Sequence, residues 1–319
     1  MENQTTVSEF ILLGLSSDPQ MQIFLFLLFL VIYLVTLVGN IMIMLVIRAD
    51  PHLHTPMHFF LFHLSFVDIC YSSVTVPNML MDFRAEQKTI SVDGCIAQMF
   101  FFFLSAGTEI FILSAMAYDR YAAICDPLHY VQTMSKVICF QLVIGAWTMA
   151  FLGATINTVF ALKLHFCGPN QISHFSCELP LLLQLSCTEI LINQVLLLTS
   201  TVILGLSSFL LTLISYIHII STILRIRSAE GRRKAFSTCS SHLIVVSLLY
   251  LTALFQYIKP SSVSSVVLDE IFSIQYSVLT PMLNPIIYSL KNKEVKRALG
   301  KMWGNSSISS SDDVFIFYK

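Results

Sequence analysis

The sequence predicts an all-α membrane protein, a seven-transmembrane helix bundle followed by a short amphipathic eighth helix. Three observations support this fold class: 55% of the 319 residues are hydrophobic, only 12% are charged, and seven apolar stretches are each long enough to cross a bilayer. A soluble domain carries about 25% charged residues, so this composition favours lipid as the solvent. A net charge of −1 indicates neither a nucleic-acid partner nor an acidic one.

The seven apolar stretches define the predicted spans, since a helix needs about 20 residues to cross a hydrocarbon core of roughly 30 Å. They lie near 23–47, 58–80, 96–119, 140–161, 194–224, 237–258 and 268–290. Runs of this length without two-residue alternation indicate helices rather than barrel strands. The fifth stretch is overlong, so we expect it to tilt or to project past the membrane.

The basic residues predict the orientation of the bundle. With the N-terminus outside, fourteen of the 18 Lys and Arg residues lie on the cytoplasmic side, as the positive-inside rule requires. We therefore expect a multi-pass plasma-membrane protein with an extracellular N-terminus (1–22), a bundle (23–290) and a cytoplasmic amphipathic helix and tail (291–319). No cleavable signal peptide is expected in the first segment. The sequon at Asn3 then lies outside and can be glycosylated, whereas the one at Asn305 lies inside and should not be.

Four of the 8 cysteines lie on the predicted outer side, Cys95, Cys167, Cys177 and Cys187. Four cysteines allow three pairings, and their spacing leaves all three open. The loop near 162–193 holds three of these cysteines, and a long loop in a compact protein is usually functional or tied down.

An amphipathic helix is predicted after the seventh span. Val295, Ala298, Leu299 and Met302 recur at helical spacing, with basic residues between them. Such a helix lies on the inner leaflet and turns its basic face toward anionic lipid. Membrane lipid is therefore an expected partner of this segment.

Two carboxylates lie deep inside predicted spans, Asp68 in the second and Glu109 in the third. A charged side chain at mid-membrane costs about 2.5–3.5 kcal/mol on insertion scales, so each acid must be protonated, paired or coordinated. Two interpretations stay open. Either both acids are protonated and hydrogen-bonded, or they join Asn40 and Asn284 in a hydrated polar site that takes a cation.

The third span ends in an acid and a base, Asp119 and Arg120, between Tyr118 and Tyr121. Such a pair could be an interface anchor, because Arg side chains snorkel and Tyr belongs to the aromatic belt. At the end of the third of seven spans and before the run PLHY, the pair resembles the activation switch of a heptahelical receptor.

The seventh span is interrupted by Pro281 and Pro285, and Asn284 precedes the second of them. Proline inside a helix removes a backbone hydrogen bond and frees a carbonyl for side chains or water. Tyr288 and a basic end follow, which makes this pattern much more specific than a kink alone.

Several motifs follow one another in a fixed order along the chain. They are Gly39-Asn40, LHTPMHFFLFHLSFVDIC (53–70), MAYDRYAAIC (116–125) with PLHY, HFSCELPLLLQLSC (174–187), Ser215-Tyr216, KAFSTCSSHL (234–243) and PMLNPIIYSLKNKEV (281–295). Together they resemble the odorant receptors of the rhodopsin-like G-protein-coupled receptor superfamily, and Thr55 before Pro56-Met57 is similar to their tetrapod-type class. The resemblance extends from the first helix to the tail.

This resemblance implies a receptor and not an enzyme, one that binds small, mostly neutral volatile molecules and needs no cofactor or metal. It would activate a stimulatory, olfactory-type heterotrimeric G protein and raise cAMP. The resemblance also implies the bridges Cys95–Cys177 and Cys167–Cys187, and an ion-type polar site at Asp68, Glu109 and Asn284.

The implied switch lies at the cytoplasmic ends of the spans. Asp119, Arg120 and Tyr121 would hold the inactive state, and Tyr216 and Tyr288 would move toward Arg120 on activation. At the inner end of the sixth helix, four residues would contact the third helix and the G protein. They are Lys234, Ser237, Ser241 and His242.

The implied pocket lies in the outer halves of the third, fifth, sixth and seventh spans. Its residues are Phe102, Phe103, Ala106, Gly107, Ser200, Leu204, Tyr250, Ala253, Leu254, Tyr257, Ile274 and Ser277. The set is apolar with a few hydroxyls, which suits a small neutral molecule. Each Phe or Leu taken singly could equally be a lipid or packing contact. Phe102 stands where amine receptors carry Asp, and 268–290 contains no Lys for a retinal Schiff base.

Three departures from the family pattern bear on function. His58 stands where the family usually has Tyr, and Phe62-His63 replaces small and amide residues, which affects coupling. Leu251 replaces a usual Gly after Tyr250, so we expect it to narrow or reshape the pocket.

Other classes of protein fit the sequence less well. For a membrane zinc enzyme, His52, His54, His58 and His63 cluster but lack the spacing of a metal site. A metal site at His165 and Cys167 competes with the implied bridge. For a transporter, no internal repeat is visible.

Overall fold

The computed structural model describes residues 7–85, 87–258 and 266–302, with the side chains of 254–258, 291 and 293 left out. Within these residues, seven helices are long and apolar enough to cross a membrane. They are span 1 (Pro19–Ala49), span 2 (Pro56–Asp82), span 3 (Val92–Cys125), span 4 (Lys136–Ala161), span 5 (Leu191–Arg225), span 6 (Ala229–Ile258) and span 7 (Val266–Leu290). The predicted bundle of seven helices is confirmed.

Local capping explains why several helices begin earlier than hydropathy alone predicts. Span 1 begins at Pro19, not at 23, because the Asp18 carboxylate accepts a hydrogen bond from the Met21 amide at 3.0 Å. Thr55 and Ser91 accept in the same way at the starts of spans 2 and 3. Such caps satisfy amides that would otherwise lack partners.

Spans 5 and 7 each contain a π-helical turn, at Thr201–Leu206 and at Gln275–Leu279. In a π-helix the backbone bond joins residues five apart, so one extra residue enters the turn. Residues beyond such a turn face a different direction from the one that α-helical counting predicts. In span 7 the Thr280 hydroxyl donates to the carbonyl of Gln275 at 2.9 Å and stabilises the wide turn.

A small β-sheet covers one end of the bundle, which we call the sheet end. Its strands are β1 (Glu9–Leu12), β2 (Thr89–Ser91) and β3 (Gln171–Ile172), in the order β2-β1-β3. β1 pairs antiparallel with β2 and parallel with β3. The alternate residues Phe10 and Leu12 are buried at 0% and 2% exposure, which anchors β1 to the protein. This sheet lies within the segment that was predicted only as an extracellular N-terminus and loops.

The long loop contains two disulfides, and they are the pairs that the family resemblance implies. One joins the loop to span 3 and the other joins two positions of the loop. Cys95 at the start of span 3 is bonded to Cys177, with the Cα atoms 5.4 Å apart. Cys167 and Cys187 close the loop on itself, with the Cα atoms 5.9 Å apart. A short helix, Leu179–Leu185, then buries Leu179, Leu182 and Leu183 beneath the sheet.

The eighth helix, Lys293–Met302, follows span 7 as predicted, but its apolar side is divided between two surroundings. Val295 and Ala298 are buried against the helix bundle, whereas Met302 is 47% exposed. The expectation that the basic face of this helix lies toward anionic lipid stays a prediction. Lys301 Nζ lies 4.0 Å from Asp50 Oδ2, which adds a contact between this helix and the end of span 1.

Candidate functional site

The end of span 3 is organised around the buried carboxylate of Asp119. Arg120 pairs with this carboxylate through both Nε and Nη2, and the Tyr130 hydroxyl donates to the other oxygen, Oδ1, at 2.8 Å. Tyr130 lies in a short helix between spans 3 and 4, Tyr130–Thr133. Burial, and then the neighbouring Asp119, raise the pKa of the Tyr130 hydroxyl, so it stays a proton donor. The Asp119 carboxylate therefore binds both Arg120 and Tyr130 of the loop that follows span 3.

A second set of contacts links spans 3, 5 and 6 through His242. The ring nitrogen Nε2 lies 2.9 Å from the carbonyl of Leu113, and Nδ1 lies 2.7 Å from the Tyr216 hydroxyl. A carbonyl can only accept, so Nε2 carries the proton and Nδ1 of the neutral ring accepts from Tyr216. The rings of Tyr216 and His242 also stack, 14° from parallel. Tyr216 is thus bonded to span 6 and not to Arg120.

The other predicted switch residues surround these two sets of contacts. Tyr288 on span 7 is fully buried, and its hydroxyl has no hydrogen-bond partner among the described residues. Tyr121 lies beside Tyr118 and His218. Ser241 is buried next to His242, while Lys234 and Ser237 are exposed at the start of span 6. The structure therefore places Lys234 where it can meet another molecule.

The predicted polar residues meet in the middle of the bundle. The Asn284 amide donates to both oxygens of Asp68, at 3.1 and 3.0 Å. Glu109 is 1% exposed and lies near Asp68, and its Oε1 has no partner among the described residues. A buried oxygen without a partner is costly and points to a missing donor, water or ion.

Asn40 explains how span 7 tolerates its prolines. Pro285 has no amide hydrogen, so the carbonyl of Pro281, four residues earlier, loses its helical partner. The Asn40 side chain donates to that carbonyl at 3.0 Å. A Cβ on Gly39 would lie 3.0 Å from Pro285 Cγ, so this glycine permits the close contact of spans 1 and 7. Span 1 therefore supplies the hydrogen bond that Pro285 removes from span 7.

Three aromatic residues form the middle of the predicted pocket region. The Phe102 ring lies 5.4 Å from Tyr71 and 5.7 Å from Tyr276. Phe103, next to Phe102, packs against the apolar cluster of the long loop. On span 6 the Tyr250 hydroxyl donates to Ser208 at 3.2 Å.

The structure gives the burial of the remaining described residues predicted for the pocket on spans 3, 6 and 7. Ala106 and Ala253 are half-buried. Ser277 is fully buried and donates to the carbonyl of Ser273 at 2.6 Å. Leu254 and Tyr257 lie outside the residues whose side chains are described.

Gly107 and Leu251 have surroundings that the sequence did not predict. A Cβ on Gly107 would be 3.0 Å from Ala150 Cβ, so Gly107 lies at a close contact between spans 3 and 4, and its place in the pocket stays a prediction. Leu251 is 53% exposed, one residue and about 100° around the helix from Tyr250. It faces the lipid side, so the expectation that it narrows the pocket is wrong.

Ser200, Leu204 and Ile274 were predicted for the pocket by counting α-helical turns, which does not allow for the extra residue of a π-helical turn. The structure shows each of them in contact with a neighbouring helix. The Ser200 hydroxyl is bonded to Asn157 of span 4 at 3.0 Å, and Leu204 touches Gly153 of the same span. Ile274 packs against the cluster formed by Phe29, Val76 and Met79 on spans 1 and 2. These three residues lie at helix contacts around the pocket region.

The sequence interpretation missed Glu178. Its Oε1 accepts hydrogen bonds from the hydroxyls of Ser273 and Tyr276 on span 7, both at 2.7 Å. His174 Nε2 lies 3.9 Å from the same oxygen. An acid between a bridged cysteine and the apolar run LPLLLQL is unusual for a solvated loop, and this was the signal that could have identified it.

These features define a class of protein before any comparison is made. Seven apolar helices, a buried acid–base pair near the end of span 3 and a long loop bridged to the start of the same span are together the architecture of a heptahelical membrane receptor. The crystal structure of squid rhodopsin is similar to this chain with a TM-score of 0.70 and 17% identity, and the match covers 93% of this chain and 90% of that one. At this identity the likeness shows the fold alone.

Sequence comparisons identify the family within this class. The olfactory receptor family model matches residues 29–306, so the chain belongs to the olfactory receptor family. Human olfactory receptor 8S1 is 55% identical over 92% of this chain and 81% of its own length. Mouse olfactory receptor 5G9 is 52% identical over 94% and 96%. Human olfactory receptor 5A1 is 52% identical over 97% and 98%.

Family membership settles the broad questions of function. The chain is an odorant receptor of the G-protein-coupled type, with a small-molecule ligand and a G protein as its partners. It is a multi-pass membrane protein, and the interpretations as an enzyme or a transporter are excluded.

Proposed function

We propose that this receptor binds small, mostly neutral volatile molecules and activates a stimulatory, olfactory-type G protein, which raises cAMP. The observation that carries the proposal is the pair of contact sets at the Arg120 end. Asp119 holds Arg120 and Tyr130, while His242 joins Tyr216 to span 3. We interpret these contacts as the resting arrangement, in which Arg120 is paired with Asp119.

Activation in this proposal exchanges those contacts for others. When span 6 moves outward at its Arg120 end, the bonds from His242 to Tyr216 and Leu113 break, and the Tyr216 hydroxyl becomes free to approach Arg120. Tyr288 is suited to join them, since its buried hydroxyl lacks a partner in the described residues. Lys234 and Tyr121, with Asn284 and Pro285 as the hinge of span 7, complete the switch. Ligand binding shifts the population between the two arrangements.

The proposed ligand site lies between the long loop and the middle of the bundle. Phe102, Phe103, Ala106, Tyr250 and Ser277 supply apolar walls and hydroxyls, a composition that suits a small molecule making one or two hydrogen bonds. Ala253, Leu254 and Tyr257 extend this wall along span 6. Ser200, Leu204 and Ile274 contribute through the helix contacts that set its shape.

The polar residues Asn40, Asp68, Glu109 and Asn284 are proposed to hold a hydrated cation. The partnerless oxygens of Glu109 and Asn40 support this proposal, because a bound ion or water would satisfy them. A cation held there would bridge spans 2, 3 and 7 and favour the resting arrangement.

The orientation proposed is an extracellular N-terminus and a cytoplasmic C-terminus. It rests on the distribution of Lys and Arg and places the disulfides on the oxidising side. Residues 1–22 are then extracellular, 23–290 hold the bundle and 291–319 lie inside, with the eighth helix on anionic lipid. Asn3, outside the described residues, is the proposed glycosylation site.

The function is tested by cAMP measurements in cells that express the receptor with its surface level recorded. A panel of volatile molecules should contain ligands that raise cAMP in wild-type cells and not in Arg120→Ala cells of equal surface level. Arg84→Ala is the matched control, because Arg84 lies at the sheet end and should leave the response unchanged. A well-expressed receptor silent to the panel, with a basal signal that Arg120→Ala does not alter, contradicts the proposal.

A further inference from the structure

Glu178 lies in the long loop, but its carboxylate is largely buried and contacts span 7. It follows bridged Cys177 and precedes the helix Leu179–Leu185, yet its side chain makes no capping bond to that helix. The carboxylate instead reaches span 7 and accepts from Ser273 and Tyr276. Its side chain is only 16% exposed. A carboxylate this buried is stable only when charge or hydrogen bonds compensate it.

The described hydrogen bonds use part of what the carboxylate can accept. Both hydroxyls donate to the same oxygen, Oε1, whereas a carboxylate offers about four acceptor positions on two oxygens. Ser273 and Tyr276 are neutral donors, so they orient the negative charge and do not neutralise it. A further donor, and above all a cationic one, remains favourable at this group.

His174 lies near Glu178 but does not supply the positive charge. Its Nδ1 accepts a hydrogen bond from the Ser176 amide at 3.2 Å, which requires that nitrogen to carry no proton. Burial agrees with this assignment, since it lowers the pKa of His174 despite the nearby Glu178 and Asp269. Asp269, which has contacts of its own, adds a second negative charge to this part of the protein.

Basic side chains at the sheet end have other neighbours. Arg84 lies over the ring of Phe26, and Lys163 lies over the ring of Phe160. Lys88 Nζ donates to the carbonyl of Ser16 at 3.1 Å. None of these three basic side chains therefore compensates the negative charge of Glu178.

Aromatic rings continue from Glu178 into the bundle. Tyr276, whose hydroxyl is bonded to the carboxylate, lies 5.7 Å from the Phe102 ring, and Phe102 lies 5.4 Å from Tyr71. A carboxylate bonded to one aromatic side chain, with a second ring next to it, can recognise an alkylammonium group by ion pairing and by cation–π attraction. The apolar rings deeper in the site then contact the alkyl part of such a molecule.

We propose that Glu178 is the counter-ion of a ligand subsite for small protonated alkylamines, with Tyr276 and Phe102 beside the ammonium group. The inference rests on the proposed function, because it adds a charged class to the ligands of the same pocket. Phe102 replaces the acid that amine receptors carry on the third helix, and here the acid comes from the long loop instead. Amine recognition thus depends on a loop residue and not on span 3.

The test compares two ligands of equal size on the purified receptor in lipid nanodiscs at pH 7.4. n-Hexylamine is protonated at this pH, since alkylammonium groups have pKa values of about 10, and 1-hexanol is its neutral counterpart. Apparent Kd values come from the ligand dependence of the thermal unfolding temperature. The wild-type receptor should bind the amine about tenfold or more tightly than the alcohol.

Variants then assign that preference to Glu178. Glu178→Gln keeps an acceptor for Ser273 and Tyr276 but removes the charge, and should weaken amine binding about tenfold while leaving the alcohol within twofold. Asp93→Asn, an exposed acid at the same end of span 3, is the matched control and should change neither. If Glu178→Gln does not fold, Glu178→Asp keeps the charge with a shorter reach and should weaken the amine selectively.

The outcomes separate this inference from the proposed function. Equal amine affinity in wild type and Glu178→Gln, or no preference for the amine in wild type, overturns the inference even if neutral odorants raise cAMP. Amine binding that depends on Glu178, in a receptor that never activates a G protein, supports the inference and overturns the signalling proposal.

Discussion

The hydroxyl of Tyr216 lies 2.7 Å from Nδ1 of His242, and the opposite nitrogen of the same ring lies 2.9 Å from the carbonyl of Leu113. One imidazole therefore joins three spans at the end where Arg120 lies. A ring with both nitrogens bonded has a fixed orientation, so span 6 cannot move outward without breaking these bonds.

His242→Ala should raise basal signalling. The substitution removes hydrogen bonds present only in the resting arrangement, each worth about 1 kcal/mol, and 1 kcal/mol changes a two-state ratio about fivefold. Basal cAMP, normalised to surface receptor, measures the effect. Thr238→Ala, an exposed position on the same helix, is the control. Unchanged basal cAMP in His242→Ala would show that this histidine does not favour the resting state.

Tyr130→Phe should also raise basal signalling, by roughly two- to fivefold, because it removes one hydrogen bond from Asp119 and leaves the ion pair with Arg120 in place. Tyr118→Phe is a matched control on span 3, since the Tyr118 hydroxyl makes no hydrogen bond within the described part of the chain. The measurement is nucleotide exchange on a purified G protein. A similar rise in both variants would point to a general loss of packing.

Removal of either disulfide should lower thermal stability and surface level. Cys95–Cys177 closes a loop of sequence separation 82, and Cys167–Cys187 closes one of 20. In the chain-entropy model, these bridges contribute about 4.5 and about 3.3 kcal/mol to the free energy of unfolding. Cys177→Ser should therefore reduce the unfolding temperature more than Cys187→Ser does. Cys70→Ser, at a free cysteine in span 2, serves as the control. An order of stabilities opposite to this one would argue against the entropic account.

Acidification should destabilise the long loop through His174. Burial lowers the pKa of this histidine below its usual 6.5, so the folded state binds a proton less readily than the unfolded state. The free energy of unfolding is therefore highest above pH 6.5 and falls as the pH drops from there toward the lowered value. His174→Gln should reduce the difference in unfolding temperature between pH 7.5 and 5.5, whereas His165→Gln, at an exposed position of the same loop, should preserve it.

Gly107→Ala should cost about 1–3 kcal/mol of stability, because the added methyl would lie 3.0 Å from Ala150 Cβ and 3.3 Å from Ala150 Cα. The unfolding temperature of the purified receptor measures this loss. Ala150→Gly in the same chain should restore much of it by making room. If the loss persists in the double variant, while ligand selectivity changes, Gly107 belongs to the pocket after all.

The number and placement of the helices were predictable from sequence, because they depend on local properties. A stretch such as 140–161 is mostly apolar and contains no charged residue, and helix caps such as Asp18 act on amides three residues away. Asp119 and Arg120, the residues of the proposed switch, were identified from their motif, and they lie in the last two turns of span 3.

Which way a side chain faces was harder to predict. Ile274 and Ser200 were placed by α-helical counting, and each π-helical turn adds a residue that the sequence does not mark. The contact of Gly107 with Ala150 depends on how closely two helices approach, which is a property of the whole bundle.

Distant contacts that belong to no family motif were not predictable, unlike the Cys95–Cys177 bridge and the pair of Asp68 with Asn284. Glu178 meets Ser273 across a separation of 95 residues, and β1 pairs with β3 although Ile11 and Gln171 are far apart in the chain. Short polar segments such as TIS and QI carry no strand pattern of their own. They become strands because β1 lies between them.

The central place of β1 in its sheet imposes an order on biosynthesis. The strand leaves the ribosome first, yet one of its neighbours, β3, follows span 4, and the other precedes span 3. In the proposed orientation, the hydrogen-bonding groups on the β3 edge of this strand therefore stay unpaired on the lumenal side until span 4 has been inserted. Phe10 and Leu12 are buried in the finished protein, so their final packing against the long loop follows the insertion of the first four spans.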